Sequence, residues 1–284
     1  MSPRIPRDLI KHLEWKPGQE PPTPPREDPV HLSPTTIANP ATYILLPEGK
    51  YGKYDYPDLL IGMQRLSYNA EVEAVNTRKS WEWKNTAKDA ASAHTYDFIG
   101  NMNHQQAIEL NRELGNITLS TVLGREFVKL LREGIDGRIM YGGDRNPVVR
   151  EKLIEVYNDM TEKRDPWRSE WFDTKFTARG EGFDVTYPIF KNDGWEYVTE
   201  ELEEHLKEKK CINMNDWLLH SNLHGLPRPG STGSDLYYWP PSNGSVARFG
   251  AYSDWSRLGC GGYPAGRSAS LGVRAVAKKT GGAP

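Results

Sequence analysis

Few residues in this chain of 284 have the types and spacing that chemistry requires. His220 and His224 lie four apart on a segment with helical periodicity, so their imidazoles could share a face as a zinc pair does. No Glu sits between them and the sequence offers no third ligand. The pair therefore reads as satisfied or exposed histidines. Asp55 with Asp58, and Asn215 with Asp216, are the nearest thing to a calcium seed, but no spaced loop of acidic ligands surrounds them. Cys211 and Cys260 give neither a disulfide framework nor metal spacing, and would pair only if the fold brought them together. No Ser-His-Asp order, phosphate loop or close carboxylate pair stands out. The expectation is a chain with no catalytic residue, no metal and no cofactor.

What remains is the chemistry of contact, and it is concentrated near the end of the chain. From Ser245 to Val276 the sequence has two textures. Val246, Ala247 and Phe249 on one side, and Leu271, Gly272, Val273 and Val276 on the other, read as buried strand. Between them come Gly250, Tyr252, Asp254, Arg257, Gly259, Gly261, Gly262, Tyr263, Ala265, Gly266, Arg267 and Ser268. Glycine, serine and aspartate permit loop backbone, while tyrosine and arginine supply contact area, as in binding loops on rigid scaffolds. Residues 250–268 contain no Lys, Glu, Gln or Met. Just before the tract, Trp239-Pro-Pro241 follows Tyr237 and Tyr238, and reads either as a rigid brace for the loop base or as a fixed aromatic rim.

The tract resembles the variable region of diversity-generating retroelement target proteins, the archaeal type most closely. The resemblance rests on the frame Val246-Ala-Arg-Phe249, Ala251, Ser253, Leu258, Cys260, Pro264 and Ser270-Leu-Gly-Val-Arg-Ala275. In that family a reverse transcriptase mutates the adenines of a template. AAC and AAT codons then become many others, but never codons for Lys, Glu, Gln, Met or Trp. The missing residue types fit that rule, and Trp255 belongs to the frame. Tyr56-Pro-Asp-Leu-Leu60, Phe127 to Gly134 and Arg168-Ser-Glu-Trp171 look like further framework pieces, so the resemblance covers most of residues 54–276. It implies an α+β, C-type lectin fold of the formylglycine-generating-enzyme subclass, related to the phage major tropism determinant. Small sheets and two helices would hold a C-terminal recognition surface within a variable region of about 246–276. The partner implied is an unknown protein or cell-surface ligand. The alternative is an enzyme on the same fold, an oxidoreductase of the formylglycine-generating type. Those enzymes use a cysteine-based copper site, and no motif of theirs is present here.

The elements that must position this tract follow from composition and periodicity. The formal net charge of −2 gives no reason to expect nucleic acid or membrane lipid as a partner. No stretch has the length of a transmembrane helix, and no apolar signal core opens the chain. Residues 1–42 form a Pro-rich N-terminal extension, read as a flexible or extended arm, or one packed along the domain or a neighbouring subunit. Residues 43–284 form the ligand-binding domain. Ala41–Pro47, Tyr56–Gly62, Glu170–Asp173 and Gly182–Tyr187 read as strands, and Trp81 and Trp83 alternate as on a half-buried strand. Helices are predicted over Gln105–Leu114, Thr121–Glu133, Val148–Met160, Val198–Glu208 and Met214–Leu223. The candidate contact residues are predicted to share one solvent-facing surface and to change together without unfolding the domain. Trp255 is predicted to point inward as a brace.

Overall fold

The computed structural model describes residues 39–81, 98–165 and 167–279. All of the Pro-rich extension before Asn39 lies outside them, as does Trp83. The described chain opens with a 3-10 turn at Pro40–Thr42, then β1 (Tyr43–Leu46), β2 (Gly49–Tyr51), β3 (Tyr54–Tyr56) and β4 (Leu59–Gly62). Helices α1 (Ala70–Lys79) and α2 (His104–Glu113) precede β5 (Ile117–Thr118), α3 (Thr121–Ile135) and α4 (Arg150–Thr161). A meander follows: β6 (Arg168–Arg179), β7 (Gly182–Lys191) and β8 (Gly194–Glu201). The last part holds β9 (Lys210–Ile212), α5 (Met214–His220), β10 (Leu236–Trp239), β11 (Ser245–Ala251), β12 (Ser256–Gly262), β13 (Leu271–Gly272) and β14 (Ala275–Lys278).

The protein is α+β. Its large sheet has the order β8-β7-β6-β11-β12-β10-β9, with β13 paired to β6. Neighbours along that order are antiparallel except β10 and β12. A smaller sheet, β1-β4-β14-β5, joins the two described ends of the chain. Among the described residues no helix is long and apolar enough to cross a membrane.

Local sequence explains most of these elements. α3 begins where the Ser120 hydroxyl accepts the Leu123 N–H, and Leu123, Phe127, Leu130 and Leu131 form its buried stripe. α2 starts with a reciprocal capping box between Asn103 and Gln106. The helix predicted over 198–208 does not form. Residues 194–201 are instead the edge strand β8, registered against β7 from Lys191↔Gly194 to Asp184↔Glu201. Trp195, Tyr197, Val198 and Thr199 are strand formers, and eight hairpin-local partners outweigh the helix propensity of the Glu and Lys run. Trp81 is not in a strand. It follows α1, a helix that buries only Val72 and Val75 and so carries a thin apolar stripe.

Two apolar clusters pack against opposite faces of β6 and β11. Phe172, Phe176, Ala247, Phe249, Leu258 and Cys260 join the cluster with α3 and α5. Phe249 lies between rings, stacked on Phe172 at 6.1 Å and on Trp217 at 5.5 Å. Trp171 and Val246 join the other cluster, with Val72, Met102, Leu110, Leu271 and Val273. A buried ion network ties the end of the tract to both sheets. Arg274 Nε donates to Glu170 at 2.9 Å and its Nη1 donates to the Gly62 carbonyl at 2.8 Å.

Candidate functional site

The alternation of a strand decides which tract residues face outward. On β12, Leu258 and Cys260 are fully buried in the core, so Arg257, Gly259 and Gly261 take the other face. Register then assembles that face across strands. Tyr237 and Trp239 of β10 lie beside Arg257 and Gly259, and Gly250 and Arg248 of β11 lie beside the same two residues from the other side. Arg248 is in turn opposite Trp171 of β6, so Trp171 marks the same face.

Aromatic rings and cations fill the surface around these strands. In the turn between β11 and β12, Tyr252 stacks on Trp167 at 4.9 Å and 5°. The Arg257 guanidinium lies 4.2 Å from the Tyr252 ring and 5.9 Å from the Tyr237 ring. It also donates through Nη2 to both Asp254 oxygens at 2.8 Å. Tyr237 packs at 6.0 Å against both Trp239 and Trp255. Lys209 sits over the Trp239 ring at 4.2 Å and Lys163 over the Trp255 ring at 5.1 Å. Trp255 is half-buried within this aromatic line and belongs to neither core cluster, which corrects the inward brace predicted for it. The physical reason is that the turn places it beside Tyr237, whose ring gives it apolar cover without entry to the core.

After β12 the chain crosses back toward β13 on this same side. The connection is held by backbone: His104 N–H donates to the Pro264 carbonyl at 2.9 Å, Asn101 N–H to that of Ser268 at 2.6 Å, and Gly266 N–H to that of Tyr263 at 3.0 Å. His104 itself packs edge-on against Trp171 at 5.5 Å, which fixes the side of the sheet on which the loop lies. Tyr263, Ala265 and Arg267 are exposed, and Gly266 and Ser268 are half-buried. Tyr263 is 74% exposed, far beyond what a packed tyrosine shows.

The glycines separate into two kinds once a Cβ is considered. At Gly259 a Cβ would meet the Arg248 side chain at an ordinary 3.5 Å, and at Gly261 it would meet the Pro240 carbonyl at 3.1 Å. At Gly250 it would come 2.3 Å from the Arg168 carbonyl oxygen, and at Gly262 it would come 2.7 Å from that of Val246. Gly250 and Gly262 are buried where neighbouring backbone leaves no room. The expectation that all twelve positions face solvent is corrected at Gly250, Gly259 and Gly262, which are buried, and the expectation that all change freely is corrected at Gly250 and Gly262. The structure brings Tyr252, Asp254, Arg257, Gly259 and Gly261 together on the sheet face and its turn. Tyr263, Ala265, Gly266, Arg267 and Ser268 lie on the crossing loop beside it.

Arg248, Trp167, Lys163 and Lys209 share this region and were not among the candidates. Arg248 was readable in principle, since period-2 alternation puts it with Gly250 and opposite Phe249. Trp167, Lys163 and Lys209 arrive from distant segments and carry no local signal. The remaining candidate groups are separated. His224 is buried, its Nε2 2.9 Å from Glu200 Oε1, whereas His220 is exposed and pairs with Asp216 at 2.9 Å. Asp58 accepts the Glu48 N–H, and Asp55 is exposed. Cys260 lies in the core, while Cys211 is opposite Tyr237 on the outward face, so the two thiols are free and on opposite sides of the sheet. Among the described residues no group of three or more His, Cys, Asp or Glu is arranged to hold a metal. No family model, curated protein or solved structure matches the chain.

Proposed function

We propose that this chain is a receptor-type ligand-binding protein with no catalytic role. Its variable region, about residues 246–276, is diversified by a retroelement reverse transcriptase and displayed on a C-type lectin fold of the formylglycine-generating-enzyme subclass. The observation that carries the reading is a division within the tract. Val246, Ala247, Phe249, Ala251, Leu258, Cys260 and Ser270 to Ala275, which belong to the resemblance frame, are buried. Of the diversified set, Tyr252, Asp254, Arg257, Gly261, Tyr263, Ala265, Gly266, Arg267 and Ser268 are half-buried or exposed, whereas Gly250, Gly259 and Gly262 are buried, and of the frame Ser253 is exposed. A protein that varies its surface while keeping its fold needs that separation, because surface substitutions away from packing features change stability by within about 0.5 kcal/mol. The partner is a protein or cell-surface ligand, and the reading calls for no cofactor.

Sequencing around the gene tests the proposal. A reverse transcriptase gene should stand beside a near-copy of the tract, differing from it at adenines of the template. Those differences should fall in the codons for Tyr252, Asp254, Arg257, Gly259, Gly261, Tyr263, Ala265, Gly266, Arg267 and Ser268. A locus with neither element would falsify the retroelement reading. The oxidoreductase alternative gains nothing from the geometry, since Cys211 and Cys260 lie on opposite faces of the sheet.

A further inference from the structure

The face formed by β10, β12 and β11 is rich in donors and poor in free acceptors. The Arg248 side chain lies across Gly259, with Cγ 3.5 Å and Nε 3.6 Å from where a Cβ would stand. Among the described residues its guanidinium has no hydrogen-bond or ion-pair partner, and it is half-buried in the middle of the face. Trp239 Nε1 and Arg257 Nε are also without acceptors there. Of the nearby carboxylates, Asp254 is paired with Arg257, and the exposed Asp235 accepts the Met214 N–H at 2.8 Å through one of its two oxygens. Lys163 and Lys209 add exposed positive charge at the edges.

From this we infer that the face binds an acidic protein surface, with Arg248 receiving a carboxylate at its centre. The inference deepens the binding reading above and rests on it. A guanidinium presents five N–H groups in a planar fork that suits a carboxylate. Gly261, exposed on the same strand, leaves room beside it for a partner's Asp or Glu side chain. The surface also suits protein better than single-stranded nucleic acid. Stacking of bases along a strand needs a row of free ring faces, and here Trp167 and Tyr252 cover one another and cations cover Trp239 and Trp255, which leaves the exposed Tyr263 on the crossing loop.

Selection of random displayed peptides on the immobilised full chain tests this. Recovered peptides should carry clustered Asp and Glu. Changing those residues to Asn and Gln should weaken binding by roughly tenfold or more on the unaltered protein. Arg248→Gln should weaken the parent peptides to a similar degree while leaving the melting temperature in place. Neutral or basic peptides, or displacement of the peptides by oligothymidylate, would overturn the acidic-partner inference. If such neutral peptides still lose binding in a Tyr263→Ser, Arg267→Ser variant, the binding surface stands without its acidic preference. Peptides indifferent to every one of these changes would remove both.

Discussion

At the scale of single residues, the glycines carry the sharpest test. Gly250 and Gly259 are near neighbours in sequence space and in the sheet, and nothing in their local context tells them apart. The difference lies in what stands across from each: the Arg168 backbone for Gly250, and the movable Arg248 side chain for Gly259. Gly250→Ala must push a strand aside, and overpacking of this kind costs about 1–3 kcal/mol. Gly259 is also buried, but a methyl there meets only the movable Arg248 side chain at ordinary contact distance, so Gly259→Ala should cost less than that range. Urea unfolding of the two variants measures this, and equal losses would refute the division of the tract into fixed and free positions. Sequence could not supply that distinction, because a glycine required by close backbone approach and one that is merely small are the same letter.

At the scale of elements, legibility followed how far each element's partners lie. α3 was readable because its cap and its apolar stripe are local. β8 was misread because a Glu and Lys run favours helix in isolation, and only its register against β7 decides otherwise. α2 was readable within a residue or two, but its work in holding the loop was not. That work begins at His104, which is buried, donates through Nε2 to the Phe172 carbonyl at 3.0 Å, and gives its own N–H to Pro264. Burial lowers its imidazole to about 4, against the opposing effect of the Phe172 carbonyl. In the unfolded chain the same group takes up a proton near 6.5. Its contribution is therefore complete above about 6.5 and is lost as pH falls toward the folded value. Between pH 7 and 5 His104 should account for a loss of about 2 kcal/mol of stability, beside the losses from His205 and His224, whose imidazoles burial also lowers. His104→Gln should flatten that dependence in paired urea melts. A His104→Gln chain with the same slope as the parent would show that other groups set it.

At the scale of the whole molecule, the tract is fastened at both ends before its side chains matter. Upstream, β11 lies between β6 and β12, with Phe249 held between Phe172 and Trp217. Downstream, β13 pairs with β6, Arg274 is buried on Glu170, and β14 pairs with β4 and β5. The loop between is tied through its own Pro264 and Ser268 carbonyls, which accept from the N–H groups of His104 and Asn101, and an accepting carbonyl makes no demand on the side chain. Changing Tyr252, Asp254, Arg257, Gly259, Gly261, Tyr263, Ala265, Gly266, Arg267 and Ser268 together removes little that holds the fold. The Tyr252 stack on Trp167 is worth about 0.5–1.5 kcal/mol. The contact of Arg257 with Tyr252 is worth about 0.5–1 kcal/mol, and its surface pair with Asp254 about 0–1 kcal/mol. Phe249→Ala alone should cost about 3–5 kcal/mol, because it empties a fully buried site between two rings. The tenfold variant should therefore be the more stable of the two in thermal or urea melts. A chain that survives Phe249→Ala but unfolds when these ten positions change would place the stabilising contacts in the loop itself, and the tract would then be part of the core.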